Sequence, residues 1–190
     1  PDNFPIETYR NHFVVAEQNY CFSVYDCEGN KKATFPVDKI YEGLTYISNG
    51  MYQGKIMAAN VLGKDTWIGN LDGTEKTLCN VTVGLGIPVG IRSLDWQTYT
   101  NQFLLVYGPR PPNLSLISRL SQGNWVIDSH AEYYNSPVIV DITELTPYGN
   151  YYLIGWNSFT RLHGVHKLNS DFSFNSAYAM QVRFLYICYI

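Results

Sequence analysis

A unit of short strands recurs four times along the chain, and this repeat constrains the fold more than any other feature. In each unit an apolar second strand precedes a third strand, a turn rich in Gly, Asn and Asp, and a more polar fourth strand. The second strands are spaced by about 42 to 48 residues, at 13–16, 55–59, 103–107 and 151–155. Repeats of this length built from short strands are typical of propellers. We therefore predict an all-β β-propeller with about four four-stranded blades.

The repeat places the whole chain, residues 1–190, in a single propeller-like domain. Units two to four each open with an innermost strand, and unit one shows no obvious counterpart. The fourth strand of unit three is predicted at 125–127. The predicted units cover residues 10–38, 39–84, 89–130 and 138–178.

The tail at 180–190 has no unit of its own, although its run from Val182 to Ile187 has the composition of a strand. A ring of blades must join its ends, and a strand borrowed from the far terminus would do so while removing an exposed edge. We expect this closure strand to complete the first blade. The alternative is that the chain is half of a larger propeller, pairing with a second copy or continuing in further residues.

Composition excludes several classes of protein. With 46% hydrophobic and 15% charged residues, the chain can form a packed core and is not intrinsically disordered. The net charge is −3 and the sequence contains no basic stripe, so we expect no nucleic-acid partner. No apolar run reaches the roughly 18 to 20 residues of a membrane helix, so no membrane span is expected. The compartment is unknown from sequence, with a secreted or extracytoplasmic location favoured.

The four cysteines are predicted to be free thiols rather than a disulfide framework. Cys21 and Cys27 are six residues apart in one extended run, too distant to bridge each other. Any disulfide that involves these two, Cys79 or Cys188 would be long-range.

Two segments resemble known propeller families. The segment 41–46, followed by a strand and an Asp-Gly turn, resembles blades of the NHL-like and gluconolactonase-like propellers. The opening at 90–92 with the strand 103–108 is similar to uncharacterised propeller families found in bacteria. The resemblance covers nearly the whole chain as a repeat pattern and implies a fold rather than a reaction.

The innermost strands of a propeller line its central channel, where ligands collect at one mouth. Aligning the opening strands puts Glu42 level with Val89, and Thr45 level with Arg92. In this alignment Glu42, Arg92 and Asp141 converge on the channel mouth as candidate ligand-binding residues.

Resemblance to gluconolactonase-like enzymes implies that Glu42 is a ligand of a divalent cation such as Ca²⁺, with Asp141 as the second candidate ligand. Arg92 in the same channel would repel a cation. An interior ion pair between Arg92 and a carboxylate is the interpretation we favour. No cofactor is therefore expected, and Ca²⁺ is the alternative.

Aromatic residues are abundant, with 16 Tyr and 4 Trp, and most are expected to fill the space between blades. Those in predicted loops are the expected exceptions, since exposed rings at a rim can stack on sugars or anchor a protein. These loop residues are Trp96, Tyr99, Tyr133, Tyr134 and Tyr148.

The sequence predicts a non-catalytic recognition or scaffold domain that binds a protein or glycan partner through rim loops and the channel mouth. No Gly-x-Ser-x-Gly elbow is present to suggest nucleophilic catalysis. One alternative is a divalent-metal-dependent, lactonase-like hydrolase that uses Glu42 and Asp141. Another is a structural subunit of a larger assembly, and a homo-oligomer is possible.

Overall fold

The described part of the chain consists of β-strands and their connections, and it contains no α-helix. The structure is a computed structural model. No helix in the described part has the length and apolar character needed to cross a bilayer. The described residues are 9–60, 65–84, 90–98, 100–107, 114–127, 131–134, 138–145, 150–156, 163–169 and 174–180.

The first half of the chain forms two antiparallel sheets, each ordered as in the sequence. The first sheet has three described strands: β1 (Phe13–Glu17), β2 (Cys21–Tyr25) and β3 (Lys31–Pro36). The second sheet has four strands: β4 (Gly43–Tyr46), β5 (Ile56–Ala59), β6 (Trp67–Gly69) and β7 (Thr77–Leu78). A short strand, β8 (Thr82–Val83), follows in the connection to the third sheet.

The second half forms two more four-stranded antiparallel sheets. Their strands, with the short β12, are β9 (Ile91–Gln97), β10 (Gln102–Tyr107), β11 (Leu114–Ser121), β12 (Val126–Ile127), β13 (Ala131–Tyr134), β14 (Val138–Leu145), β15 (Asn150–Trp156), β16 (His163–Leu168) and β17 (Phe174–Met180). The third sheet has the order β9-β10-β11-β13, and the fourth has the order β14-β15-β16-β17.

The predicted strands are found in all four units, with one exception in the third. There the fourth strand of the sheet is β13, and not 125–127 as predicted. The residues of β12 instead pair in parallel with β8. A strand of two residues is too short for its pattern of apolar and polar residues to indicate which strand it pairs with. The pairing follows from burial, since Val81, directly before β8, and Ile127 of β12 lie in the same core cluster. Of the predicted closure strand at 180–190, Met180 is the last residue of β17, and residues 181–190 lie outside the described residues.

The inner strands lie side by side in chain order, since β4 contacts β9 and β9 contacts β14. The first contact is close because Gly43 has no side chain. A Cβ at Gly43 would lie 3.1 Å from Cγ2 of Ile91 and 3.2 Å from Cβ of Leu94. The backbone N–H of Trp96 donates a hydrogen bond to Oγ1 of Thr45 at 3.0 Å, which fixes the height of one strand against the other.

The second sheet is covered on both faces, and β5 shows how its sequence achieves this. Ile56 and Ala58 pack into a cluster shared with Phe22 of the first sheet. Met57 and Ala59 pack into a second cluster that includes residues of the third sheet, such as Phe103. Because alternate side chains of a strand point to opposite faces, an entirely apolar strand is suited to a sheet between two others.

The pairing of β8 with β12 should stabilise the junction between the second and third sheets. Ile127 is fully buried there, whereas its neighbour Val126 is exposed. We expect Ile127→Ala to lower the free energy of unfolding by about 2 to 5 kcal/mol through lost burial and a residual cavity. Val126→Ala is the matched control and should change it by no more than about 0.5 kcal/mol. Urea unfolding of both variants measures this, and equal effects would show that β12 does not bury Ile127.

Candidate functional site

The predicted channel-mouth residues lie on the three inner strands or directly before one of them. Glu42 comes directly before β4, where its backbone N–H donates a hydrogen bond to the Ala59 carbonyl at 3.1 Å, and its side chain is exposed. Arg92 is the second residue of β9, and Asp141 is the fourth residue of β14. The side chains of Arg92 and Asp141 lie outside the described part of the structure.

Strand pairing shows which inner-strand positions are level with each other. In the second sheet Gly43 pairs with Ala59, the fourth residue of the apolar run that begins at Ile56. In the third sheet Ser93 pairs with Val106, the fourth residue of the run that begins at Phe103. Gly43 and Ser93 are therefore equivalent positions in their blades.

Thr45 and Asp95 are equivalent in the same way, so the sequence alignment, which put Glu42 level with Val89 and Thr45 level with Arg92, was wrong by three residues at Thr45. The equivalence does not extend to Glu42 and Arg92, because the register of β9 shifts there: Tyr107 pairs with Ile91, and Arg92 lies at the irregularity between Ile91 and Ser93. Asp141 pairs with Ile154, the fourth residue of its own second strand run, and is level with Gly43 as predicted.

The three-residue error has its origin in the turn between the first two strands of each sheet. Ile47 pairs with Lys55 across seven residues, whereas Gln97 pairs with Gln102 across four. Because of the longer turn, residues of the inner strand lie three positions farther from their partners in the second strand in the second sheet than in the third. An alignment anchored on the inner strands alone cannot detect this difference.

Glu42 and Arg92 thus lie near the start of two neighbouring inner strands, and the ion pair between Arg92 and a carboxylate stays a prediction. Among the described residues, no three His, Cys, Asp or Glu side chains gather as a metal site. The roles of Glu42 and Asp141 as metal ligands stay predictions.

The predicted rim aromatics are placed differently from expectation. Trp96 lies in β9 and is only 6% exposed, with its ring centroid 4.7 Å from that of Phe103. Tyr133 and Tyr134 lie in β13. The prediction that these three residues lie in loops was wrong, because both strands continue farther than their polar residues suggested. Their neighbours in the prediction, Tyr99 and Tyr148, lie outside the described residues.

An exposed apolar surface that the sequence reasoning missed lies where the second and third sheets meet. Met51, in the turn between β4 and β5, is 74% exposed. The half-buried ring of Tyr52 lies 6.3 Å from the half-buried ring of Trp125, at an interplanar angle of 35°, and both rings pack against the core with one side. Val126, which follows Trp125 in the sequence, is 50% exposed. We call Met51, Tyr52, Trp125 and Val126 the loop surface.

Hydrogen bonds hold this surface to the third sheet. The side chain of Asn49 donates from Nδ2 to the Thr98 carbonyl at 3.1 Å and accepts at Oδ1 from Nε1 of Trp96 at 3.1 Å. The backbone N–H of Met51 donates to Oε1 of Gln122 at 3.1 Å. Gly50 has φ of +85°, and a Cβ there would lie 2.3 Å from that same Gln122 oxygen. The Asn-Gly pair in an unusually long turn was the sequence signal for this arrangement.

A polar cluster lies on the first sheet, on the face that also carries Cys21. Glu17 accepts hydrogen bonds at Oε1 from the hydroxyl of Tyr25 at 2.7 Å and from Nζ of Lys31 at 2.9 Å. Its Oε2 accepts from the thiol of Cys21 at 3.5 Å. These donors, Lys31 above all, lower the pKa of the Glu17 carboxyl from 4.5 to about 2. Cys21, Cys27 and Cys79 are free thiols, as predicted, and Cys188 lies outside the described residues.

Comparison with known proteins identifies the fold. No family model matches the chain, and no curated protein matches it. Hydrazine synthase of Kuenenia stuttgartiensis is similar in structure, with a TM-score of 0.59 and 8% identity over 90% of this chain and 46% of that chain. A protein of unknown function from Bacteroides caccae has a TM-score of 0.51 and 11% identity over 88% of this chain and 57% of that chain.

Dihydro-heme d1 dehydrogenase NirN in complex with DHE has a TM-score of 0.53 and 10% identity over 91% of this chain and 35% of that chain. The chain thus spans between 35% and 57% of the length of these three structures. At such low identity the likeness shows the fold alone. The chain has an all-β fold of propeller type.

The loop surface should depend on Asn49. We expect Asn49→Ala to lower the free energy of unfolding by about 1 to 3 kcal/mol, because Nε1 of the buried Trp96 loses its acceptor. Gln53→Ala removes an exposed amide from the same turn and is the control, with little expected change. Urea unfolding gives the free energies, and NMR order parameters show whether the backbone amide of Met51 stays ordered. Equal stability of the two variants would contradict the anchoring role of Asn49.

The Glu17 cluster should make stability depend on pH. Because folding lowers the Glu17 pKa, its contribution is complete above pH 4.5 and is lost as pH falls through about 2. The difference in free energy of unfolding between the native chain and Glu17→Gln should therefore shrink as pH falls from 4.5 to about 2. The difference should be small at any pH, because the cluster is exposed to solvent. Urea midpoints at several acidic pH values measure it, with Glu28→Gln in the neighbouring exposed turn as the control. A difference that does not vary with pH would contradict the assigned cluster.

Proposed function

We propose that the chain is a non-catalytic recognition domain that binds a partner protein through the loop surface. The observation that carries this proposal is an exposed methionine beside a pair of aromatic rings, in a turn fixed by side-chain hydrogen bonds. Recognition of this kind uses shape and apolar contact on a rigid scaffold, and it requires no cofactor.

The side chains of the loop surface suit protein binding. Met51 is unbranched and polarisable, so it adapts to an irregular apolar partner surface. Tyr52 and Trp125 supply large contact areas at low cost in side-chain entropy, as residues at binding hot spots do. Because the most exposed side chain is a flexible apolar one and not a flat ring, the surface favours a protein over a glycan.

The charge around the loop surface supports the same conclusion. Neither the turn at 47–54 nor the segment 121–127 contains a charged residue. Depletion of charge is the compositional mark of the centre of a protein interface. The bonds from Asn49 and Gln122 hold the turn in place before binding, so little ordering entropy is lost when a partner docks.

The competing function is the metal-dependent, lactonase-like hydrolase, with Glu42 and Asp141 holding Ca²⁺ or a similar ion. Arg92 belongs to β9, the strand that contacts β4, and a guanidinium close to Glu42 would repel a bound cation. A glycan partner would use the Tyr52 and Trp125 rings without Met51. Both alternatives give distinct results in the test below.

The test isolates a binding partner from the source organism with the immobilised chain and then measures the affinity of the purified pair. Met51→Glu and Trp125→Ala should each weaken binding at least about tenfold, as hot-spot substitutions do. Leu78→Glu is the matched control, because Leu78 is also exposed and apolar but lies on β7, away from the loop surface.

Unchanged affinity in both loop-surface variants would overturn the proposal. Binding to a glycan array that Trp125→Ala abolishes and Met51→Glu leaves intact would establish a glycan partner. Lactone hydrolysis that requires a divalent cation and is lost in Glu42→Gln would establish the hydrolase.

A further inference from the structure

The turn that carries the loop surface contains the one Asn-Gly pair of the chain, Asn49-Gly50. Asn side chains that precede Gly are prone to deamidation, because Gly has no Cβ to hinder attack by its backbone nitrogen. The nitrogen of Gly50 bonds to Cγ of Asn49, the bond from Cγ to Nδ2 breaks, and ammonia leaves with the Gly50 N–H proton. Water then opens the succinimide ring at either carbonyl, which gives Asp or isoaspartate at this position.

The nucleophile of this reaction is free in the folded turn. Gly50 is exposed, and its φ of +85° is a conformation that a residue with a Cβ rarely adopts. Within the part of the chain that the structure describes, the Gly50 N–H donates no hydrogen bond. The Gly50 carbonyl accepts one from the N–H of Gln53 at 3.2 Å, which holds the turn and leaves the nitrogen unoccupied. No hydrogen bond of the attacking atom therefore has to break.

The electrophile, in contrast, is held on both sides. Asn49 donates from Nδ2 to the Thr98 carbonyl and accepts at Oδ1 from Nε1 of Trp96, each at 3.1 Å. The hydroxyls of Ser48 and Thr98 lie 2.9 Å apart and add a bond between the same two segments. Ring closure turns the amide and expels Nδ2, so the bond to Thr98 must break and the bond from Trp96 must reorient. The rate is therefore set by local opening of the turn.

The product does not fit this anchor. Either product carries a carboxylate, which has no N–H to donate to the Thr98 carbonyl, so two acceptors would face each other. The new charge lies in the turn at 47–54, which has none before the reaction. Isoaspartate also lengthens the backbone by one carbon, two residues before Met51, whose N–H is bonded to Gln122. Deamidation therefore releases the turn and places a charge close to Met51.

We propose that Asn49 is a site of spontaneous deamidation that disables the loop surface, at a rate set by the hydrogen bonds of the folded turn. The reaction consumes only water and needs no enzyme. Its effect on partner binding rests on the function proposed above, whereas the modification itself does not. A partner that covers the loop surface keeps the turn closed, so a bound chain is protected and an unbound chain loses its binding surface with time.

Peptide mass spectrometry of the full chain, incubated at mildly alkaline pH, measures the reaction by the change in mass at Asn49. The chain should convert about tenfold more slowly when folded than when unfolded in guanidinium chloride. Gln122→Ala removes the acceptor of the Met51 N–H and should speed conversion of the folded chain about fivefold. Gln53→Ala in the same turn is the matched control and should leave the rate unchanged. Circular dichroism shows whether each variant is folded.

Asn49→Asp tests the consequence of the reaction directly. NMR order parameters should show that the Met51 amide loses its order in this variant and keeps it in Asn80→Asp, which adds the same charge at an exposed position. Equal rates in the folded and unfolded chain, no conversion of the folded chain, or an ordered Met51 amide in Asn49→Asp would each overturn the proposal. None of these measurements uses a partner, so failure of partner binding through the loop surface is seen independently.

Discussion

Burial of both faces of the second sheet is the constraint on which the rest of this structure depends. The four consecutive apolar residues of β5 alternate between two core clusters, one shared with the first sheet and one with the third. At about 25 cal/mol per Å² of apolar surface, this burial is the main term that holds neighbouring sheets face to face. A sheet with only one apolar face could not occupy this position, because its other face would bury polar side chains without partners.

Packing of the sheets in turn positions both candidate sites. The close approach at Gly43 sets β4 against β9, and the bond from the Trp96 amide to Thr45 fixes their relative height. This packing places Glu42, directly before β4, close to the strand that carries Arg92. At the other end of β9, the side chain of Trp96 holds Asn49 and thereby the turn that exposes Met51. The loop surface is thus an outcome of core packing rather than of the turn alone.

The sequence predicted most strands because each blade centres on a short apolar run, and such a run at a regular interval has few other interpretations. Its errors arose where the determining contact is distant in sequence. The pairing of β12 with β8 depends on a core shared between two sheets, and the height of β4 relative to β9 depends on a turn longer by three residues. Trp96 was expected in a loop, but the Asn49 side chain that accepts its N–H lies 47 residues away. Met51 belongs to no sequence motif, and only its exposure in the folded structure identifies it.

Hydrogen exchange of backbone amides tests the central claim most directly, namely that β5 lies between two packed faces. Amides of β5 and β10 should exchange slowest, at rates that report global unfolding, because their side chains are buried on both faces. Those of β3 and β7, on outer strands with mainly exposed side chains, should exchange much faster. Exchange of β5 at the rate of β7 would contradict the account, since it would mean that the second sheet is not covered on both sides.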